Sequence, residues 1–181
     1  MTRSEYRIRE ATAVDLPALR SALAWAIEWR LPVLSASPEQ IIHATGHDYL
    51  LDDWGREGDM AVVADAAGGT LGAAWCRRWS DESHSYGYVD ASTPELGVGV
   101  DPAHRGRGVG TALVRGLLEA ASRSGIARVS LSVEGDNRAM RLHETLGFVR
   151  FEPVEASWTM LADLAHDPRL PQGPRRRPAP R

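Results

Sequence analysis

The stretch from Gly97 to Gly125, "GVGVDPAHRGRGVGTALVRGLLEAASRSG", limits the fold more than any other part of this chain. It holds seven glycines, and those at 106, 108 and 110 alternate where a strand-like run gives way to a helical one. Glycine weakens helices and strands alike, so a junction built from it points to something that approaches the backbone closely. A helix N-terminus presents amide N–H groups without internal partners and carries the positive end of the helix dipole. Preceded by small residues, it becomes an anion cradle whose usual guest is phosphate. Gly106, Gly108 and Gly110 would let the loop wrap a diphosphate, with Arg105 and Arg107 adding charge. The competing reading is a glycine-rich turn that only packs the helix against a sheet.

Three phosphate cradles can be compared. All 21 basic residues are arginine, which excludes the lysine of a P-loop and any Schiff-base chemistry. A dinucleotide fingerprint, G-x-G-x-x-G, would need a third glycine where Thr111 stands, and its strand would open the chain rather than lie within it.

The remaining sequence supplies the elements around this junction. "YRIREA" (6–11) alternates like a first strand. The run from 11 to 30 places Leu16, Leu19, Leu23 and Ile27 at helical spacing behind Thr12 or Asp15 as cap. Pro32 and "SASP" interrupt before further helical turns over 38–54. Residues 61–64 and 71–79 read as a hairpin joined at Gly68-Gly69, and 81–94 is polar and turn-rich. "ELGVGV" is a strand ended by Pro102. The following helix shows Val109, Leu113, Leu117 and Ala121 at i+4 steps and stops at Gly125. "ARVSLSV" is a strand, and a short helix starts at Asp136 or Asn137 and ends at Gly147. "FVRFEP" and "EASWTML" close the chain as paired strands. The order predicts an α/β layer fold with a mixed, mostly antiparallel sheet.

A chain of 181 residues can bury one core without disulfide or metal. Its single cysteine, Cys76, cannot close an internal bridge and fits a reducing compartment. No run reaches the ~18 apolar residues of a membrane span. The N-terminal "MTRSEYRIRE" lacks a signal peptide's apolar centre, so the expected location is cytoplasmic. Residues 166–181 hold five arginines, five prolines and one aspartate, leaving 16 arginines against 23 acidic residues elsewhere. That acidic body favours cationic partners over nucleic acid or membrane. The expected organisation is one domain over 1–165 and a disordered Pro/Arg-rich tail over 166–181.

With these residues in view, "RGRGVG" matches the R/Q-x-x-G-x-G/A signature of the GNAT superfamily, the acyl-CoA-dependent N-acetyltransferases, through Arg105, Gly108 and Gly110. The V-x-V-D-P strand end before it fits the same family. Downstream, "NRAMRLHETLGF" resembles the family's N-x-x-A-x-x-L-Y-x-x-x-G-F segment, with Asn137, Ala139, Leu142, Gly147 and Phe148 in similar places. The resemblance covers about 6–161. It implies a GNAT-like sheet whose strands splay around acetyl-CoA, with the backbone of Val98, Gly99 and Val100 on the pantetheine arm. The amides from Arg105 through Gly106, Arg107, Gly108, Val109 and Gly110 to Thr111 would hold the pyrophosphate, and Asn137 would line the thiol end. An amine would attack the thioester directly, with a backbone amide near Val98 polarising the carbonyl.

Aminolysis needs a neutral amine and a proton for the leaving thiolate. Where the family usually carries tyrosine, this chain has His143, an expected acid. Glu95, opening the strand that leads to the signature, is the expected base, and Asp81, Glu82 and Asp90 could receive a cationic amine. His43 and His47 stand at metal-ligand spacing, but Gly46 interrupts and no third ligand follows, so no metal is expected. The expected activity is acetyl transfer to a primary amine on a small molecule or peptide. The alternative is an acyl-CoA-binding regulatory module with little turnover. The resemblance also implies a homodimer as one possible assembly.

Overall fold

The computed structural model describes residues 6–30 and 36–170. In chain order it contains β1 (Tyr6–Glu10), α1 (Leu16–Ile27), α2 (Pro38–Ala44), β2 (Met60–Ala66), β3 (Gly69–Arg77), β4 (Glu95–Val100), α3 (Val109–Arg123), β5 (Arg128–Glu134), α4 (Ala139–Thr145), β6 (Val149–Val154) and β7 (Ser157–Asp163). The strands hydrogen-bond in the order β1-β2-β3-β4-β5-β7-β6. Four of these pairings, β1–β2, β2–β3, β5–β7 and β7–β6, are antiparallel, whereas β4–β5 is parallel. This is the mixed, mostly antiparallel α/β sheet expected from the element order. Contacts divide the chain into two compact units, residues 1–77 with 96–117, and residues 78–95 with 118–181.

In the first unit, the start of α1 is fixed to the end of β1. The Thr12 N–H and hydroxyl donate to Asp15 Oδ2 at 2.8 and 2.9 Å, and Arg9 donates to both Asp15 oxygens at 2.8 Å. The Arg9 bonds above all hold the Asp15 carboxyl well below the usual carboxylate range. From there α1 buries Leu19, Ala22 and Leu23 in a core shared with Ile41, Val63 and Trp75. Ser37 and Gln40 cap α2 reciprocally. The interruption expected at Pro32 lies outside the described residues.

The sequence reading passed over Arg77, which is 1% exposed and ends β3. Its Nε and Nη2 grip Asp59 at 3.1 and 2.8 Å, and its Nη1 donates to the carbonyls of Asp52 (2.7 Å) and Tyr49 (3.2 Å). Asp59 in turn accepts from the N–H groups of Gly55 and Arg56. One buried cation therefore organises the irregular segment before β2, with its charge matched and its donors used.

The expected stripe of α3 is buried at all four positions, Val109, Leu113, Leu117 and Ala121. A side chain at Gly116 would meet Ile8 at 2.8 Å, so this glycine lets α3 close on β1. In the second unit, β5 and β7 bury Leu131 and Met160, and Phe148, just ahead of β6, is buried too. Gly125 and Gly147 stop α3 and α4 with φ of +77° and +96°. The segment 81–94 contains no strand, as its turn-rich composition implies.

Residues 166–170, placed in the tail by the sequence, are among those described. Arg169 donates to Asp167 and to the Thr145 carbonyl (3.3 Å), and Leu170 is buried. Arginine and leucine find partners there that a count of prolines does not foresee. Residues 171–181 of the expected tail lie outside the described residues.

Candidate active site

The expected cradle lies in the first unit. Gly106 and Gly108 have φ of +74° and +82°, a region that L side chains rarely adopt. A Cβ on either would meet nothing within 4 Å. These two glycines are therefore present for a turn of the backbone that faces open space. The first helical bond after them runs from the Ala112 N–H to Gly108 O (3.0 Å), so the loop delivers the chain into the N-terminus of a 15-residue helix. The combination suits a bound diphosphate.

Arg105 departs from expectation. Its Nε donates to Val100 O (3.1 Å) and its Nη2 to Trp25 O (2.8 Å). The side chain thus ties the end of β4 to α1, and its contribution to a phosphate is the loop shape it holds. Arg107 is exposed beside the glycines, where it could meet an anion. The glycines of β4 have a different origin. A side chain at Gly97 would collide with the Trp75 indole, and one at Gly99 with the carbonyl of Ala22. The close approach expected from the glycine content comes here from the protein's own α1 and β3. Val98 and Val100 flank Gly99 half-buried.

Glu95, Asn137 and His143 lie in the second unit. Glu95 opens β4 opposite Ser130 of β5, whose N–H donates to Pro94 O (3.0 Å). Its Oε1 accepts the Gly87 N–H at 2.9 Å, while its buried Oε2 has no hydrogen-bond partner. Burial pushes this carboxyl up to about 7, although the Gly87 N–H, Ser85, Trp79 and the charge of His84 pull the other way. A carboxyl balanced near neutrality inside a protein has the character of a general base.

His143 is 4% exposed on α4, packed edge-on against the Phe148 ring with centroids 5.6 Å apart. Its Nδ1 is buried without a hydrogen-bond partner, and burial lowers the imidazole to about 4. Burial favours the neutral ring at pH 7, which weighs against His143 as an imidazolium donor. Tyr88 does not supply the acid either, because its hydroxyl donates to Asp81 and is pushed up to about 12. Asn137 caps α4 by accepting the Ala139 N–H at 2.9 Å. Asp90 is committed to Ser92, Thr93 and Arg128, which leaves it poorly placed to receive an amine. His43 pairs with Asp48 at 3.3 Å.

Sequence reasoning missed Gly87. A Cβ there would lie 2.6 Å from Glu95 Oε1 and 2.7 Å from the Leu131 carbonyl carbon. The only signal was a glycine between two tyrosines in "SYGYV", inside a segment read as an ordinary loop.

A model of the acetyltransferase (GNAT) family matches residues 20–148. The chain belongs to that family. It is 36% identical over 102 residues to a mycothiol acetyltransferase of Actinosynnema mirum, an alignment covering 56% of this chain and 31% of that protein. The chain thus spans about a third of the length of these relatives. It is 29% identical over 143 residues to the L-methionine sulfoximine/L-methionine sulfone acetyltransferase of Pseudomonas aeruginosa, with 78% of each chain covered. Among solved structures, the paiA N-acetyltransferase of Thermoplasma acidophilum in complex with coenzyme A superposes with a TM-score of 0.64 at 16% identity, covering 87% and 98% of the two chains. YncA of Salmonella typhimurium with its cofactor acetyl-CoA gives 0.62 at 23%, covering 91% and 97%. Both likenesses establish the fold. Among the described residues no helix is long and apolar enough to cross a membrane.

Proposed function

We propose that the chain transfers an acetyl group from acetyl-CoA to the primary amine of a small molecule. The observation that carries this reading is the Glu95 carboxyl, which is buried, bound on one oxygen and balanced near pH 7. It begins the strand that runs directly into the glycine loop. A protein that keeps such a carboxyl at that place keeps the means to take a proton, which simple retention of a cofactor would not require.

Acetyl-CoA would supply an activated acyl thioester, and its diphosphate would lie on the amides from Arg105 to Thr111 beside Arg107. The backbone of Val98, Gly99 and Val100 would hold the pantetheine arm. Glu95 takes the proton of the attacking amine, directly or through water. Asn137 holds the start of α4 by accepting the Ala139 N–H. A small acceptor agrees with the names of the relatives, which specify mycothiol and methionine sulfoximine.

The experiment is thiol release from acetyl-CoA, followed against a panel of small amines, beside a calorimetric titration with CoA. CoA binding together with amine-dependent release is the expected result. Binding without release across the panel removes the transferase reading, and absence of binding removes the cradle.

A further inference from the structure

We propose that Gly87 is a positioning residue for the base: its N–H and its lack of a side chain fix where the Glu95 carboxylate lies, with Oε1 bound to the Gly87 N–H. The inference rests on Glu95 acting as that base. It is carried by two independent pieces of geometry. First, the Gly87 N–H donates to Glu95 Oε1 at 2.9 Å, and the Oε2 of the same carboxyl is buried. That bond restricts rotation of the carboxylate about its terminal torsion.

Second, the backbone of residue 87 sits in a slot too narrow for any other amino acid. A Cβ would be 2.6 Å from Oε1 on one side and 2.7 Å from the Leu131 backbone on the other. The β5 backbone cannot yield cheaply, so a methyl group would displace the carboxylate. No positive φ is involved at Gly87. The glycine is required by the space between a strand and an acid, and turn conformation does not explain it. The other groups bearing on the carboxyl are Ser85, Trp79 and the charge of His84, all on the same loop as Gly87. That loop consequently holds the carboxyl in place and opposes in part the burial that raises it.

Two measurements on the full chain test this. In ¹⁵N-labelled protein, the Gly87 amide proton should shift with pH around a midpoint near 7 and stop doing so in Glu95→Gln. In Gly87→Ala, turnover at pH 7 should fall tenfold or more with KM for acetyl-CoA within twofold, and the midpoint of the rate–pH profile should move by at least half a pH unit. A Gly87 amide that is flat between pH 5 and 9 overturns the proposal, as does a folded Gly87→Ala with wild-type turnover and midpoint. The amide titration needs no change at position 87, so it decides the contact even if Gly87→Ala does not fold. Wild-type turnover in Glu95→Gln would remove the base and with it the positioning role, while a titrating Gly87 amide would still report the contact.

Discussion

Glutamine at position 95 would keep the side chain's length and shape, retain an acceptor for the Gly87 N–H, and abolish the titration. In the folded chain this carboxyl changes state at about 7, against 4.5 for an unperturbed glutamate. At about 1.4 kcal/mol per pH unit, that gap is worth about 3 kcal/mol. Between the two values the folded chain holds a proton that the unfolded chain has released. The contribution to stability is therefore full below 4.5 and is lost as pH rises through 7. Removing the group removes that loss, so Glu95→Gln should be more stable than wild type at pH 8, by up to about 3 kcal/mol, with the two chains converging near pH 4. In a chain of 181 residues this corresponds to a rise in Tm of roughly 6–12 °C. Turnover should move the other way and fall by about 10²–10⁴-fold, the usual value of a positioned base. Urea melts of both chains across pH 4–8, read beside amine-dependent thiol release, measure both quantities. A variant no more stable than wild type at pH 8 would mean that the carboxylate ionises without penalty. A turnover within tenfold of wild type would mean that it is not the base.

Other consequences can be checked alongside. Gly108→Val forces a branched residue to φ of +82° at the cradle; it should cost about 1–2 kcal/mol in a melt and weaken CoA binding at least tenfold by calorimetry. Arg77→Met leaves Asp59 buried without its cation, and a loss of about 3–5 kcal/mol is expected in denaturant titrations. His143→Phe should change turnover by less than tenfold, because the native ring is neutral at pH 7. It should also abolish the stability that His143 contributes above 6.5 and loses as pH falls towards 4. Ending the chain at Ala165 removes Leu170 and the Arg169 bond to Thr145, with an expected cost of about 1–3 kcal/mol and CoA affinity unchanged within threefold.

The parts of the fold that follow from local chemistry were readable in the sequence. The α3 stripe, the αL stops at Gly125 and Gly147, and the hairpin of β2 and β3 each depend on residues close together in the chain. The family signature was legible for the same reason. What stayed hidden depends on pairs far apart. Arg77 meets carbonyls some 25 residues away, and nothing local marks it as buried. Gly97 and Gly99 looked like ligand-facing glycines, yet Trp75 and Ala22 account for them. Glu95 was identified by its place before the signature, but the slot at Gly87 that fixes it closes only when β5 is present. The reading of His143 as an acid assumed an ordinary pKa, and a residue's pKa depends on burial that its own sequence window does not state.

Glu95 and His143 are displaced from ordinary behaviour by the same cause. Burial disfavours the charged form of each, so it raises the acid to about 7 and lowers the imidazole to about 4. The two groups then act oppositely on stability over the range from 4.5 to 6.5, one losing and the other gaining as pH rises. The dryness that raises Glu95 towards neutral pH is the kind of environment that disfavours a proton on His143. The proton balance does not need one. The attacking amine surrenders its proton to Glu95, and a departing thiolate of ordinary pKa near 8.5 takes a proton from water at pH 7. A histidine in the place of the family's tyrosine therefore leaves the proposed reaction with a dedicated base and no dedicated acid, so the rate should rise with pH through about 7 without a second, descending limb from His143.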